Sequence, residues 1–289
     1  MFNQNIKSPV NIPVSKIHPF EGNPYKVLDN DEMNNLICSI QEQGILTPII
    51  IRPIENTDEY EVISGHRRLH ATVKAGMKEV PAFIYAVSRD EAAIMLVDSN
   101  LHREHILPSE RAFAYKLKME AMSRQGYRSD LTSCQVGTKL RTDEIIAENS
   151  TDSARQIQRY IRLTYLIPEL LDLVDEEKIA LTPAVELSYL TDEEQYSLLG
   201  TIEEEDRTPS LSQAVRFKKL SQAGELSDES IETIMQEDKA NQKPMFKVSM
   251  ERLQKVAPKV KDKDFEDFVL KACEHYYRYL QRQRNRDAR

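Results

Sequence analysis

The stretch Tyr60-Glu61-Val62-Ile63-Ser64-Gly65-His66-Arg67-Arg68-Leu69-His70 decides the fold of the N-terminal part of the chain. Residues 60–63 alternate as in a half-buried strand, and the pattern becomes helical over 65–75. The N–H groups and the dipole at such a helix start favour an anion, and the planar guanidinium groups of Arg67 and Arg68 suit phosphate oxygens. The stretch therefore predicts a phosphate-binding turn between a strand and a helix.

A second polar stretch, Ser99-Asn100-Leu101-His102-Arg103-Glu104, ends a predicted helix that Ser88 opens with a capping box. Together the two stretches predict a nucleotide pocket. In the alternative interpretation Arg103 and Glu104 form a surface ion pair. The arginines of the first stretch would then pair with nearby acids such as Glu59, Glu61 and Glu79.

The segments around the first stretch alternate between strands and helices. Strand-like runs occur at 11–17, 48–52 and 80–87, and a further helical pattern covers 30–44. We therefore predict an α+β domain over residues 1–107.

From Pro108 onward the sequence pattern is helical. Helices are predicted over 108–126, 142–148, 152–166, 168–177, 183–190, 211–220, 231–235 and 265–280. A further helix is predicted to begin at 191. The polar stretch 126–141 is expected to be an exposed loop, with no role assigned. We predict a helical domain over 108–206, a helical linker over 207–245 and a C-terminal helical module over 246–289. So small a module buries little apolar surface alone, so we expect it to pair with a second copy.

The helices predicted at 142–148 and 152–166 have the lengths and the turn of a helix-turn-helix unit, 142–166. Ile157, Tyr160 and Ile161 are expected to face inward. Four polar residues share the opposite face, where they can read base edges and bind phosphates in a major groove: Arg155, Gln158, Arg159 and Arg162. The alternative is an ordinary amphipathic helix in an all-helical domain.

The formal net charge of −8 is unevenly distributed along the chain. Residues 169–206 contain thirteen acidic side chains and one lysine, so the remaining residues carry a net charge of +4. Cations concentrate at 103–128, 155–162 and 278–289, which favours a polyanionic partner. The acidic block either solvates helix faces or restricts DNA binding to the cationic face.

Several other classes of protein are disfavoured. Three separated cysteines, no apolar run of membrane-spanning length and no signal-peptide pattern predict a cytoplasmic chain without disulfides. Neither a Walker lysine loop nor a G-x-S-x-G turn is present. His66 and His70 lack the Glu of a zinc-binding H-E-x-x-H motif.

The order of these elements resembles the ParB family of chromosome and plasmid partition proteins over about residues 10–200. The resemblance rests on four segments, Thr47-Pro48-Ile49-Ile50, Gly65-His66-Arg67-Arg68, residues 100–104 followed by Leu107-Pro108, and the helix pair at 142–163. It implies a CTP-binding N-terminal domain with a ParB/sulfiredoxin-like fold, a central DNA-binding domain and a C-terminal dimerisation domain.

The resemblance also implies which residues contact CTP: Thr47, Pro48, Gly65, His66, Arg67, Arg68, Asn100 and Arg103. It further implies that Asn100 lies near Mg²⁺. Two positions depart from the family pattern, because His66 and Ser99 each stand where the family usually has Glu. Since Ser99 has no carboxylate, the resemblance supports CTP binding more than CTP hydrolysis.

The expected function is that of a homodimeric, CTP-regulated clamp on a centromere-like DNA site. Such a protein would be cytoplasmic, associated with the nucleoid or a plasmid, and could have a ParA-type ATPase as a further partner. Two alternatives remain open: a transcription or plasmid-maintenance regulator with a vestigial pocket, and a nucleotide-dependent kinase or nuclease with Glu104 as its base.

Overall fold

The structure, a computed structural model, describes residues 8–101, 103, 105–125, 141–148, 150–237, 255 and 265–287. The chain divides into two compact units, Met1–Glu237 and Asp238–Arg289. His102, Glu104 and the loop predicted at 126–141, apart from Arg141, lie outside the described residues.

The N-terminal part is built on a five-stranded mixed sheet. Its strands are β1 (Val10–Pro13), β2 (Ile17–His18), β3 (Ile49–Pro53), β4 (Tyr60–Ser64) and β5 (Glu79–Ile84). In the order β1-β5-β3-β4-β2, the β1–β5 and β3–β4 pairs are antiparallel, and the β5–β3 and β4–β2 pairs are parallel. The predicted strands are confirmed, except that a 3₁₀ turn at Val14–Lys16 divides the first one.

Three helices complete this part, namely α1 (Asp31–Gln43), α2 (His66–Lys74) and α3 (Arg89–Asn100). Local signals fix their ends. The side chain of Asn30 accepts the N–H of Met33 at the start of α1, and Gly44 ends that helix with φ of 72°. Ser88 and Glu91 form the predicted capping box of α3. The predicted α+β fold of this part is therefore confirmed.

The remaining described residues form helices. In the first unit these are α4 (Pro108–Arg124), α5 (Thr142–Glu148), α6 (Ala154–Leu163), α7 (Pro168–Asp175), α8 (Leu181–Leu187), α9 (Asp192–Glu205), α10 (Leu211–Ala223) and α11 (Asp228–Gln236). The second unit contains α12 (Phe265–Asp287). No helix among the described residues is both long and apolar enough to cross a membrane.

Several predicted helix boundaries were wrong by a few residues. Helix α6 begins at Ala154 rather than at 152, because the side chain of Ser153 accepts the N–H of Gln156 and thereby caps the helix. Helix α8 covers Leu181–Leu187 rather than 183–190. Pro183 lies in its first turn, where a missing backbone N–H costs no hydrogen bond.

One apolar cluster joins the sheet to the helices that follow it. It contains Phe20, Ile63 beside the β4–α2 turn, Leu96 of α3, Tyr115 of α4 and Ile157 of α6, each at most 2% exposed. A continuous core therefore crosses the boundary predicted at 107. The domain limits at 107, 206 and 245 stay predictions.

The segment 20–26 connects the sheet to helices α2 and α4. The backbone N–H groups of residues 20, 21 and 26 donate to His66 at 3.3 Å, Glu61 at 3.0 Å and Glu110 at 2.8 Å. Burial lowers the pKa of His66 to about 4, and the positive charge of Arg103 acts in the same direction. His66 is therefore neutral near pH 7 and can accept a hydrogen bond through Nε2.

The start of α4 is capped by a carboxylate from another helix. Asp175, at the end of α7, accepts the backbone N–H of Ser109 at 2.9 Å and also the Ser109 hydroxyl. Its side chain is only 9% exposed, and Nζ of Lys26 lies 3.9 Å away. The carboxylate satisfies a helix N–H that has no partner within α4 and interacts favourably with the helix dipole.

We predict that Asp175→Asn lowers the free energy of unfolding by about 1–2 kcal/mol, because it removes a buried charge-assisted cap. Urea unfolding of the full chain measures this change. Asp172→Asn is the matched control, because Asp172 is 66% exposed and its 3.7 Å contact with Lys26 lies at the surface. The control is expected to cost less than about 0.5 kcal/mol. Equal losses in both variants would contradict a capping role.

We also predict a pH dependence that originates at His66. Unfolded histidine binds a proton below about pH 6.5, whereas folded His66 stays neutral down to about 4. The free energy of unfolding should therefore fall as the pH drops through this interval, by up to about 3 kcal/mol. Urea unfolding of the wild type and His66→Gln at several pH values measures the difference. The prediction fails if that difference does not change with pH.

Candidate functional site

Gly65 shapes the turn between β4 and α2. Its φ is 104°, in the left-handed region, and a Cβ at this position would lie 2.7 Å from Cγ2 of Ile49. A side chain is therefore excluded on two independent grounds. Gly65 is also the N-cap of α2 and supplies no side-chain acceptor to the first turn. The first turn thus keeps the character of an anion-binding helix start.

Arg68 draws the predicted residues Thr47 and Pro48 to the start of α2. Its Nη1 donates to the carbonyl oxygen of Thr47 and, at 2.8 Å, to that of Pro48. Burial lowers the pKa of this guanidinium from its usual value. Arg68 therefore holds the chain before β3 against the helix start.

Arg67, in the same first turn, pairs with Glu32 of α1, with Nη2 to Oε2 at 3.0 Å. Both side chains are exposed, at 40% and 72%. Arg67 therefore does not pair with the acids that the sequence suggested for it. One of these acids, Glu61, pairs with Arg52 at 2.7 Å. The sequence analysis did not identify Glu32. An acidic residue in the first turn of a helix is common, and it does not indicate a contact with a residue 35 positions away.

The second polar stretch divides into a buried part and an exposed part. Asn100 is only 5% exposed, and its Nδ2 donates to the carbonyl oxygen of Leu96 at 2.7 Å and to Oγ of Ser99 at 3.2 Å. The exposed Arg103 stacks over the ring of Tyr25, with 5.6 Å between the guanidinium carbon and the ring centre. Arg103 therefore lies near the β4–α2 turn, and its charge influences His66.

Asn100 is the residue expected to lie near Mg²⁺. Among the described residues, no three His, Cys, Asp or Glu side chains are grouped so that they could hold a metal ion. Asp98, the nearest carboxylate in the chain, pairs with Lys118 at 2.5 Å. The amide of Asn100 donates to its own helix, and its predicted place near Mg²⁺ stays a prediction.

The α5–α6 pair has the predicted inward face. Ile157 is fully buried, and Tyr160 and Ile161 pack against the same apolar cluster. On the opposite face Arg155 is exposed. Gln158 donates to Asp143 of α5 at 3.0 Å, which ties the two helices together.

The other two predicted DNA-contacting arginines reach towards α8. Arg159 donates to Oγ1 of Thr182 at 2.6 Å. Arg162 donates to Oγ of Ser188 at 3.0 Å and to its carbonyl oxygen at 2.7 Å. Of the three predicted arginines, Arg155 is thus the exposed one, while Arg162 is held by protein groups.

Comparison with known proteins extends this description. Residues 3–101 match the family model described as the ParB N-terminal domain. The chain is 32% identical over 194 residues to a nucleoid occlusion protein of Listeria monocytogenes, covering 67% of this chain and 61% of the relative. It is 29% identical over 207 residues to the chromosome-partitioning protein Spo0J of Thermus thermophilus, covering 72% and 70%. The chain thus spans less than two thirds of the length of the nucleoid occlusion relative.

Among solved structures, the chain is similar to C-terminally truncated ParB from Caulobacter crescentus complexed to the centromeric parS site. The TM-score is 0.42 at 21% identity, and the match covers 78% of this chain and 98% of that one. The same protein complexed with CTP-gamma-S matches with a TM-score of 0.32 at 23% identity, covering 68% and 99%. Residues 3–101 therefore belong to the family of ParB N-terminal domains, and the chain as a whole is similar to nucleoid occlusion and chromosome-partitioning proteins.

Proposed function

We propose that this chain is a DNA-binding partition protein that works as a homodimeric, CTP-regulated clamp. One observation carries the proposal: a ParB N-terminal domain and a helix pair with an exposed arginine share one continuous core. Relatives named for nucleoid occlusion and chromosome partition support a role at the nucleoid. A plasmid as the host replicon and a ParA-type ATPase as a partner belong to the same proposal.

The start of α2 would hold the phosphates of CTP. Its uncapped first turn and the guanidinium of Arg67 present positive potential on one side of the β4–α2 turn. Arg103 would approach from the segment after α3, while Arg68 would position Thr47 and Pro48 beside the nucleotide. Bound CTP would supply negative charge there, and tighter binding to the closed dimer would shift the clamp towards closure.

Dimerisation would involve α12. Along this helix several large apolar side chains are exposed, including Phe268 at 42%, Tyr276 at 61% and Leu280 at 39%. A second copy of the helix could bury them. The clamp would then have one permanent contact through α12 and a second one, dependent on CTP, between N-terminal domains.

A regulator with a vestigial pocket remains a second candidate, because Asn100 is turned into its own helix and Ser99 carries no carboxylate. Such a protein would bind DNA in the same way with and without CTP. Titration of CTP against the other nucleoside triphosphates, each with and without DNA, separates the two candidates. Cross-linking between N-terminal domains that does not change under any of these conditions would exclude the clamp.

We predict that Glu32→Gln strengthens CTP binding about two- to fivefold, because it removes a carboxylate that competes with phosphate for Arg67. Arg67→Gln is expected to weaken binding by at least about tenfold. Isothermal titration of the full chain with CTP measures both. Glu42→Gln, an exposed change on the same helix, is the control. Unchanged affinity in all three variants would remove Arg67 from the nucleotide site.

We predict that Arg155→Ala weakens binding to a duplex selected by the wild-type protein from a random library by about 1–3 kcal/mol. The reason is that Arg155 is the accessible arginine on α6 and can reach base edges. Fluorescence anisotropy measures the affinity for this duplex and for one of mixed sequence. Arg207→Ala, an exposed change outside α6, is the control. Equal losses on both duplexes would show that Arg155 contacts phosphate rather than bases.

A further inference from the structure

Cations and aromatic rings alternate in a row beside α6. Nζ of Lys116 lies 5.6 Å from the centre of the Tyr165 ring. The guanidinium carbon of Arg162 lies 4.5 Å from the Tyr165 ring and 4.0 Å from the Tyr189 ring. Nζ of Lys218 lies 3.6 Å from the Tyr189 ring. These five residues, here called the cation–tyrosine row, connect α4, the end of α6, the end of α8 and α10.

The row is open to solvent. Tyr165 is 55% exposed and Tyr189 is 40% exposed, although both rings contact cations. Both tyrosines are thus accessible to a partner as well as to the cations beside them.

The row also carries excess positive charge. Within the described part of the chain, Lys116 and Arg162 make no ion pair, and Lys218 pairs with Glu186 at 2.8 Å. In the described part of the chain the three cations of the row thus have one carboxylate as an ion-pair partner. Such a local excess of positive charge attracts a polyanion despite the negative net charge of the protein.

Arg162 holds the row in place. Its guanidinium lies between the two tyrosine rings while it donates to Ser188. A planar guanidinium can stack flat against a ring while its N–H groups donate hydrogen bonds in its own plane. These contacts fix the position of Arg162 relative to both rings, and its predicted contact with DNA stays a prediction.

We propose that the cation–tyrosine row binds the phosphate backbone of the DNA duplex on which α6 docks. Lysine ammonium and tyrosine hydroxyl groups are common donors to phosphate oxygens. The row adjoins α6 through Arg162, so one duplex can contact both surfaces. The inference rests on the proposed DNA-binding function and adds to it a second contact that is independent of sequence.

The test measures binding of the full chain to a labelled duplex of mixed sequence over a series of salt concentrations. Lys116→Gln combined with Lys218→Gln is expected to weaken binding about tenfold and to make the logarithmic salt dependence shallower by roughly 1.8, since each lost phosphate contact contributes about 0.9. Lys219→Gln, an exposed neighbour of Lys218, is the control and should leave the slope nearly unchanged.

A substitution that is expected to strengthen DNA binding excludes misfolding as the cause of weaker binding. Glu186→Gln frees Lys218 and is expected to tighten binding about two- to fivefold with a steeper salt dependence. Glu193→Gln, an exposed change in the same acidic block, controls for net charge. If the double variant and Glu186→Gln behave like their controls while the wild type binds DNA, the row is not a phosphate contact and the proposed function stands. If the wild type binds no duplex, both proposals fail.

Discussion

Burial of one apolar cluster between β4, α3, α4 and α6 is the constraint on which both candidate sites depend. Ile63 lies two residues before Gly65 and Ile157 lies at the centre of α6, and both are buried in this cluster. The β4–α2 turn and the helix with the exposed arginine are therefore fixed to the same core. A well-packed core resists gradual deformation. A change at one site is thus expected to move whole helices.

The cations of the candidate sites are held in place by neighbouring protein groups. Arg68 donates to two carbonyl oxygens, Arg67 pairs with Glu32, and Arg162 is held by Ser188 and two tyrosine rings. Such contacts restrict side-chain rotamers before any ligand arrives, which lowers the entropic cost of binding. The contacts differ in kind, because Glu32 neutralises the charge of Arg67, whereas the carbonyl oxygens and the rings leave the charges of Arg68 and Arg162 uncompensated.

Part of the acidic block at 169–206 has a structural role. Asp175 caps α4, Glu186 pairs with Lys218, and Glu194 completes the capping box of α9. Each of these carboxylates satisfies a backbone N–H group or a cation that would otherwise lack a partner. A negative composition in this region is therefore compatible with a cationic surface next to it, because charge composition does not specify where individual charges lie.

The sequence by itself determined the helices, strands and turns, because helix caps, glycine C-caps and apolar periodicity depend on residues that are close together in the chain. Asn30, Gly44 and the Ser88–Glu91 capping box set helix ends at or near the predicted positions, and Gly65 marked the turn where the phosphate-binding character lies. Only the tertiary structure decided the partners of the charged side chains. Arg67 with Glu32, Asp175 with Ser109 and Arg162 with Ser188 join residues 35, 66 and 26 positions apart. Which of many surface acids or hydroxyls meets a given arginine depends on how the helices pack, and that information does not lie in local sequence.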